Sequence, residues 1–327
     1  QWVKVSISER MDAIQQLIPY IEKNSAEIAR LLKLEQGMLE TVITREIRES
    51  LGQIQVTLSI ASKELKTLEY LDQDFQATVR KVPYGIVGAI VPWNAPISLA
   101  TAKVIPALLA GNAVVIKPSQ RAPIGVTYFL NLFRKFLPHG LVNVLHGLDR
   151  LGESIINHPD IGKVSFTGST ETGKRVARSA AHHLKSVQLE LGGNDAAIVL
   201  QDADIDGVAS KIIDSAFRRS GQFCYATKRV YVHASVEDQF FEALLRYANK
   251  LNIGPPSDER ATFGPVIDRA AKDRLEKLIS DVSRSNALVQ QCGTILDSAD
   301  FVNGCYVRPT LVRHIERSHP LVIEEQF

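Results

Sequence analysis

Cysteine is scarce in this chain, with 3 in 327 residues, and methionine and tryptophan are scarcer still at 2 each. An odd number of thiols, with no C-x-x-C pair and no His/Cys spacing of a metal site, supports neither a disulfide framework nor zinc. Unpaired thiols fit a reducing compartment, so the cytoplasm is the expected location. Long hydrophobic runs are missing as well: none reaches the roughly 18 residues of a membrane span, and Gln1-Trp2-Val3-Lys4 does not open a signal peptide. Nor does one sign of charge dominate. Lys+Arg 38 against Asp+Glu 36 leaves a net +2, without basic runs or interleaved aromatic stripes, so neither nucleic acid nor a membrane is an expected partner. The first residue is not methionine, which points to an incomplete start.

What is present is an ordinary globular composition, 45% hydrophobic and 23% charged, enough for a large core and two domains. Periodicity predicts an amphipathic helix opening near Ser8-Glu9 and carrying Met11, Ile14, Leu17 and Ile21. A second is capped by Ser25 and ended by Gly37, and a third runs over about 44–71. Alternation at 76–82 reads as an exposed strand that needs a partner edge, a plausible oligomerisation hairpin at about 74–84. From there the pattern becomes βαβ. Apolar strands at 86–91, 113–116, 141–145 and 164–166 alternate with helices at about 97–109, 124–136 and 153–157, which predicts a parallel sheet of Rossmann type. A second α/β unit follows the Gly192-Gly193 pair, with strands at 196–200 and 229–233 and helices at 205–218 and 236–251. The domains are drawn at 1–191 and 192–327.

Several motifs carry chemistry. Cys224, in Ser220-Gly221-Gln222-Phe223-Cys224-Tyr225-Ala226, lies in a polar loop beside Arg218 and Arg219, where a thiolate can form. Glu190 ends an apolar strand ahead of Leu191-Gly192-Gly193-Asn194, where desolvation would suit a carboxylate to base work. Thiol and carboxylate together suggest covalent catalysis, with water activated to release the captured acyl group. In Pro92-Trp93-Asn94-Ala95-Pro96, directly after a strand, Asn94 can donate to an oxyanion or can simply hold a turn. Lys117-Pro118-Ser119-Gln120 also follows a strand, as ligand contacts or as an exposed loop. Gly168-Ser169-Thr170-Glu171-Thr172-Gly173 opens a helix whose free N–H groups attract phosphate, although a serine N-cap accounts for it equally. Cys292 and Cys305 read as small buried hydrophobes.

In order and approximate spacing these elements resemble the aldehyde dehydrogenase superfamily, in its hydrolytic NAD(P)-dependent branch, from about Ser6 to Phe327. The resemblance implies a Rossmann-type cofactor domain and a second α/β catalytic domain. It implies Cys224 as nucleophile, Glu190 as general base, and Asn94 with the Cys224 backbone N–H as oxyanion donors. Lys117 and Gln120, with Ser119 in the same loop, would address the adenosine ribose, Ser169 the pyrophosphate and Glu325 the nicotinamide ribose. Trp93 and Gly168 would lie against the cofactor, with Gly173 in the same turn. The implied reaction is oxidation of an aldehyde to a carboxylic acid through a cysteine hemithioacetal and thioester, in a homodimer or homotetramer.

Departures from the family pattern qualify these implications. Gln120 stands where NAD-preferring members have Glu, so NAD is expected with NADP permitted. Tyr225 replaces a small residue and Arg219 a frequent Asn. With Arg218 and Phe223 they would shape an entrance suited to an aryl or acidic aldehyde. The chain stops within Glu324-Glu325-Gln326-Phe327, inside a motif that normally continues, so the resemblance predicts truncation at both ends and an incomplete catalytic domain. A nucleotide- or partner-binding fragment and a coenzyme A-acylating enzyme are the alternatives, and Glu190 argues against the second. A plain thiol hydrolase ranks last, having no His near Cys224 in sequence.

Overall fold

The computed structural model describes residues 2–327, which form two compact units, one made of residues up to Glu35 with Thr44–Leu191, the other of Gln36–Ile43 with Gly192–Phe327. The first unit opens with helices α1 (Ile7–Gln15), α2 (Leu17–Lys23) and α3 (Ser25–Gln36), and α4 (Glu40–Glu64) begins in the second unit's short segment. Helix α1 starts where Ser6 and Glu9 close a capping box, each side chain bonded to the other's backbone N–H. Helix α3 stops because Gly37 turns into the left-handed region at φ +64.

The expected helix over 44–71 is corrected at its end. Helix α4 finishes at Glu64, and Leu68–Leu71 is a strand, β1, paired antiparallel with β2 (Gln76–Val79). The acidic turn between them decides this. Gln73 N–H donates to the Asp72 carboxylate at 2.6 Å and Asp72 N–H to Phe75 O at 2.9 Å, closing a hairpin in which Leu68 faces Val79 and Tyr70 faces Ala77.

Next come β3 (Ile86–Ile90), α5 (Pro96–Leu109), β4 (Ala113–Lys117), α6 (Pro123–Asn131), β5 (Val142–Val144), α7 (Asp149–Asn157), β6 (Ile161–Thr167), α8 (Thr170–Ala181) and β7 (Ser186–Glu190). The strands form one parallel sheet in the order β5-β4-β3-β6-β7. The α/β class expected from the alternation is therefore the one observed. Strands with buried residues such as Val87, Ala89, Val114, Ile116, Val164 and Phe166 lie between helices, and on one side Ile155, Ile156, Val176 and Ala180 pack onto β6. The strand order reverses between β3 and β6, so the crevice outside their carboxyl ends is where such a sheet receives a ligand.

The second unit contains β8 (Asp195–Val199), α9 (Ile205–Phe217), β9 (Thr227–Val232) and α10 (Glu237–Ala248), with β8 and β9 parallel. Val199, Ala209, Ile212, Ile213, Phe240, Leu244 and Cys292 form its core, so Cys292 is the small hydrophobe expected, and burial pushes its thiol pKa up. After β10 (Asn252–Ile253) come α11 (Arg269–Ser283), β11 (Leu288–Gln291), β12 (Thr294–Ile295), α12 (Ser298–Asn303), β13 (Thr310–Arg313) and α13 (Pro320–Ile323). Among the described residues no helix is long and apolar enough to cross a membrane.

Candidate active site

In the first unit every singled-out residue except Gly173, which lies inside α8, falls at or just beyond the carboxyl end of a sheet strand. Trp93 and Asn94 follow β3, Lys117 ends β4 with Ser119 and Gln120 beyond it, Gly168 and Ser169 follow β6, and Glu190 ends β7. Asn94 is buried, Trp93 half-buried, and Gln120 and Ser169 exposed. Lys117 is buried at the sheet end, where desolvation lowers its pKa against the pull of Asp149. Ser119 Oγ accepts from Arg121 N–H at 3.3 Å.

Four helices start at this edge, α5, α6, α7 and α8, and carboxylates from elsewhere in the unit already occupy two of those starts. Fully buried Glu46 accepts from Ile97 N–H at 2.8 Å and Ser98 N–H at 3.1 Å at the head of α5. Glu35 accepts from Ile124 and Gly125 N–H at the head of α6, the latter at 2.9 Å. Helix α8 is capped only by Ser169, which accepts from Thr172 N–H at 3.3 Å and stays exposed. Helix α7 starts at the outermost strand β5 without a side-chain cap, whereas α8 begins where the strand order reverses, the position at which a helix start can meet an anion in the crevice. Exposed Ser169 leaves this start accessible to a ligand phosphate.

Two readings change here. Gly173 N–H is used inside α8, donating to Ser169 O at 2.9 Å, and a Cβ there would lie 2.4 Å from Leu191 Cδ2. Gly173 thus serves close packing, with its N–H already used within the helix. Gly168 donates its N–H to Glu190 O at 3.1 Å, tying the β6 and β7 ends together. Glu190 itself is exposed, a correction to the expected desolvated carboxylate, because β7 is the sheet's last strand.

Sequence reasoning missed a polar line leading to Glu190. Buried Lys103 donates to Ser165 Oγ at 3.0 Å, Ser165 to Gln188 Oε1 at 3.2 Å, and Gln188 Nε2 reaches Glu190 Oε1 at 3.5 Å. Burial pushes the Lys103 pKa down to about 8, against the raising effect of Glu190. The available signal was Lys103 as the only charged residue of α5.

In the second unit, Cys224 follows a turn of unusual backbone. Arg219 and Ser220 take φ of 54 and 56, and Gly221 a φ of 75. Left-handed conformations in non-glycine residues cost about 1–2 kcal/mol each, so the turn needs external ties. Ser220 Oγ donates to Gly264 O at 2.8 Å, buried Gln222 accepts from Ile267 N–H at 2.9 Å, and Lys228 Nζ donates to Gly221 O at 2.7 Å. Burial pushes the Lys228 pKa down to about 8, opposed by Glu325 and assisted by Arg274. Glu325 accepts from Gly193 N–H at 3.2 Å, while the Asn194 amide donates to Val322 O at 2.8 Å. The Gly-Gly-Asn run thereby holds the segment carrying Glu325.

The substrate residues are also redistributed. Phe223 is 4% exposed, with Tyr225 edge-on to its ring at 4.9 Å and the Arg218 guanidinium over it at 5.1 Å. It is a buried platform and not a wall. Tyr225 is 59% exposed, and Arg219 donates to Met38 Sδ at 3.6 Å. Cys224, Cys292 and Cys305 form no disulfide, and no metal-binding group of His, Cys, Asp or Glu occurs among the described residues. The hollow bounded by Pro255, Asp258, Arg260, Asp297 and Asp300 contains none of the singled-out residues.

The model described as "Aldehyde dehydrogenase family" matches residues 1–327. The 3,6-anhydro-alpha-L-galactose dehydrogenase of Vibrio sp. (strain EJY3) is 30% identical, over 100% of this chain and 68% of its own length. Among solved structures, an NADP-dependent enzyme of E. coli superposes with TM-score 0.93 at 32% identity, covering 99% of this chain and 67% of that one. A betaine aldehyde dehydrogenase of Staphylococcus aureus, solved in complex with NAD+, gives 0.92 at 26% identity, covering 99% and 66%. The chain thus spans about two thirds of the length of the proteins it matches.

Proposed function

The chain belongs to the aldehyde dehydrogenase family, and from that membership we propose that it serves NAD(P)-dependent oxidation of an aldehyde to a carboxylic acid, the hydrolytic form of the reaction. The observation that carries this reading is the α8 start: of the two helices that begin at the sheet's reversal point, α5 has its N–H groups held by Glu46 and α8 does not, so Ser169 would meet the pyrophosphate there. Lys117, Ser119 and Gln120, at the end of β4, would hold the adenosine ribose. Neutral Gln120 does not repel a 2′-phosphate, so both NAD and NADP are accepted. Trp93 and Gly168 would border the cofactor, and Glu325 would bind the nicotinamide ribose. The nicotinamide, when bound, supplies the hydride acceptor.

The protein's own steps follow from its side chains. Cys224, as thiolate, adds to the carbonyl carbon to form a hemithioacetal, whose oxyanion is held by the Asn94 amide and the Cys224 N–H. Contacts of this kind are worth about 3–4 kcal/mol. After hydride loss leaves a thioester on Cys224, Glu190 takes a proton from water, and the attacking hydroxide releases the acid and restores the thiol. The thiol must stay reduced, which favours the cytoplasm. The β1–β2 hairpin, with Leu71 84% and Tyr70 51% exposed, would pair with another subunit in a homodimer or homotetramer. A second reading, a nucleotide-binding module without turnover, is favoured by the exposure of Glu190 and of Ile198 at 75%.

Formation of reduced nicotinamide with a panel of aldehydes tests both readings. Cys224→Ser is expected to abolish it, and Glu190→Gln to keep one burst of hydride transfer per chain while losing steady turnover. Nucleotide binding without any burst in the parent chain leaves the binding-module reading standing.

A further inference from the structure

A lysine drawn into a sheet edge needs something to hold its charge, and Lys117 is held incompletely. It is 8% exposed at the end of β4, and among the described residues its ammonium closes no hydrogen bond or ion pair. Burial lowers its pKa, and the charge that pulls the other way is that of Asp149.

The start of α7 puts Asp149 there. Leu148 gives this helix no side-chain cap, and the carboxylate of Asp149, exposed in the first turn, is bonded to no other described residue. A negative charge is stable at that end of a helix, where the free N–H groups lie. One turn on, buried Gly152 faces the lysine stem: a Cβ there would sit 4.0 Å from Lys117 Cδ, at ordinary contact. Residues three apart share a helix face, so Asp149 and Lys117 meet on the same side of α7. Two opposite charges, neither of them paired, therefore share the carboxyl edge of the sheet, where ligands bind.

The loop beyond β4 adds no negative charge. Gln120 is neutral and exposed, and Ser119 Oγ already accepts from Arg121 N–H at 3.3 Å. A ribose presents two adjacent hydroxyls, each able to donate and to accept. An ammonium only donates and an ionised carboxylate only accepts, so Lys117 and Asp149 together match such a diol. A 2′-phosphate would reverse that match, replacing a hydroxyl donor by acceptor oxygens of the same sign as the carboxylate.

We propose that Asp149 is a specificity residue for the nucleotide: it accepts from the 2′-hydroxyl of the adenosine ribose and repels a 2′-phosphate, so that NAD is preferred to NADP. This rests on the reading in which Lys117 holds that ribose. Neutral Gln120 leaves both nucleotides acceptable, and Asp149 sets the order between them. Arg150, the next residue of α7 and exposed, carries the charge that would favour the phosphate, and serves as the opposing control.

Calorimetric titration with three adenine nucleotides tests this without requiring turnover. The probes are 5′-AMP, adenosine 2′,5′-bisphosphate and 2′-deoxyadenosine 5′-monophosphate, which differ only at the 2′ position. The parent chain is expected to bind 5′-AMP about tenfold or more tighter than either of the others, as for a hydrogen bond to a charged group. Asp149→Asn should bring the bisphosphate to within about threefold of 5′-AMP, since the repelling charge is gone while an acceptor remains. Asp149→Ala should also erase the penalty for the deoxy compound, and Asp149→Glu should keep part of both preferences. Arg150→Met should leave 5′-AMP preferred. A variant that merely loosens the fold would weaken all three nucleotides together, and unchanged ratios in Asp149→Asn and Asp149→Ala overturn the proposal. So does a parent chain that binds the bisphosphate as well as 5′-AMP, although the dinucleotide reading then stands. Absence of 5′-AMP binding in the parent overturns that reading and the proposal with it.

Discussion

Gly192 and Gly193 are adjacent and do different work. A Cβ on Gly193 would stand 2.2 Å from the backbone carbonyl oxygen of Cys224, whereas one on Gly192 would meet the Glu325 carboxylate, the mobile end of a long side chain. Backbone cannot step aside as a carboxylate can. Gly193→Ala is therefore expected to displace the Cys224 loop, lowering stability by about 1–3 kcal/mol as overpacking does and changing the alkylation rate of Cys224 several-fold. Gly192→Ala should leave that rate near the parent value and, because it moves Glu325, the proposed contact to the nicotinamide ribose, weaken nicotinamide nucleotide binding. Urea unfolding, alkylation kinetics and nucleotide titration on the two variants check this, and identical behaviour of both would refute it. The contrast also shows what a motif hides. Gly-Gly in a sequence reads as a turn or a ligand approach, while the neighbour that excludes a side chain comes from a loop about thirty residues away.

At the scale of elements, the sheet was legible because its three central strands, β3, β4 and β6, are short apolar runs largely buried, and helices separate them. The loops after β3, β4 and β6 stood out for the same reason, since polar residues directly after such a run lie at the carboxyl edge. The first strand of the hairpin, β1, was misread as the end of a helix, while its partner β2 falls where a strand was expected. Leu65 through Leu71 continues a helical apolar spacing, and the Asp72 and Phe75 turn that overrides it is a local hydrogen-bonding effect. The carboxylates on the helix starts were also invisible, because Glu35 and Glu46 are charges in amphipathic helices until packing brings α5 and α6 to them. Glu46→Ala would strip two bonds from buried N–H groups at the head of α5, the helix that follows Asn94. Hydrogen bonds to a charged group are worth about 1.5–3 kcal/mol each, so a loss of about 3 kcal/mol is expected in urea unfolding. A loss below about 1 kcal/mol would mean that water reaches those N–H groups and that the α5 start is not closed as described.

For the molecule as a whole, each unit carries one lysine whose pKa burial pushes down to about 8 from 10.5, Lys103 in the first and Lys228 in the second. Glu190 and Glu325 oppose these shifts without cancelling them. The direction of the pH effect follows from proton counting. Below about 8 both native and unfolded chains carry the charges, and the full cost of burying them weighs on the native state. Between about 8 and 10.5 the unfolded chain still holds protons that the native chain has released, so stability rises with pH across that window. The unfolding free energy in urea should climb in this range by up to about 1.4 kcal/mol per pH unit for each lysine. Lys103→Met and Lys228→Met should each flatten the slope, and the double variant should remove their joint contribution. Methionine keeps much of the buried stem volume, so a change in slope isolates the charge from the packing. An unchanged slope in the double variant would mean that both ammonium groups keep their solvation in the folded chain. The enclosed links from Lys103 to Ser165 and from Lys228 to Gly221 would then have to be open to water.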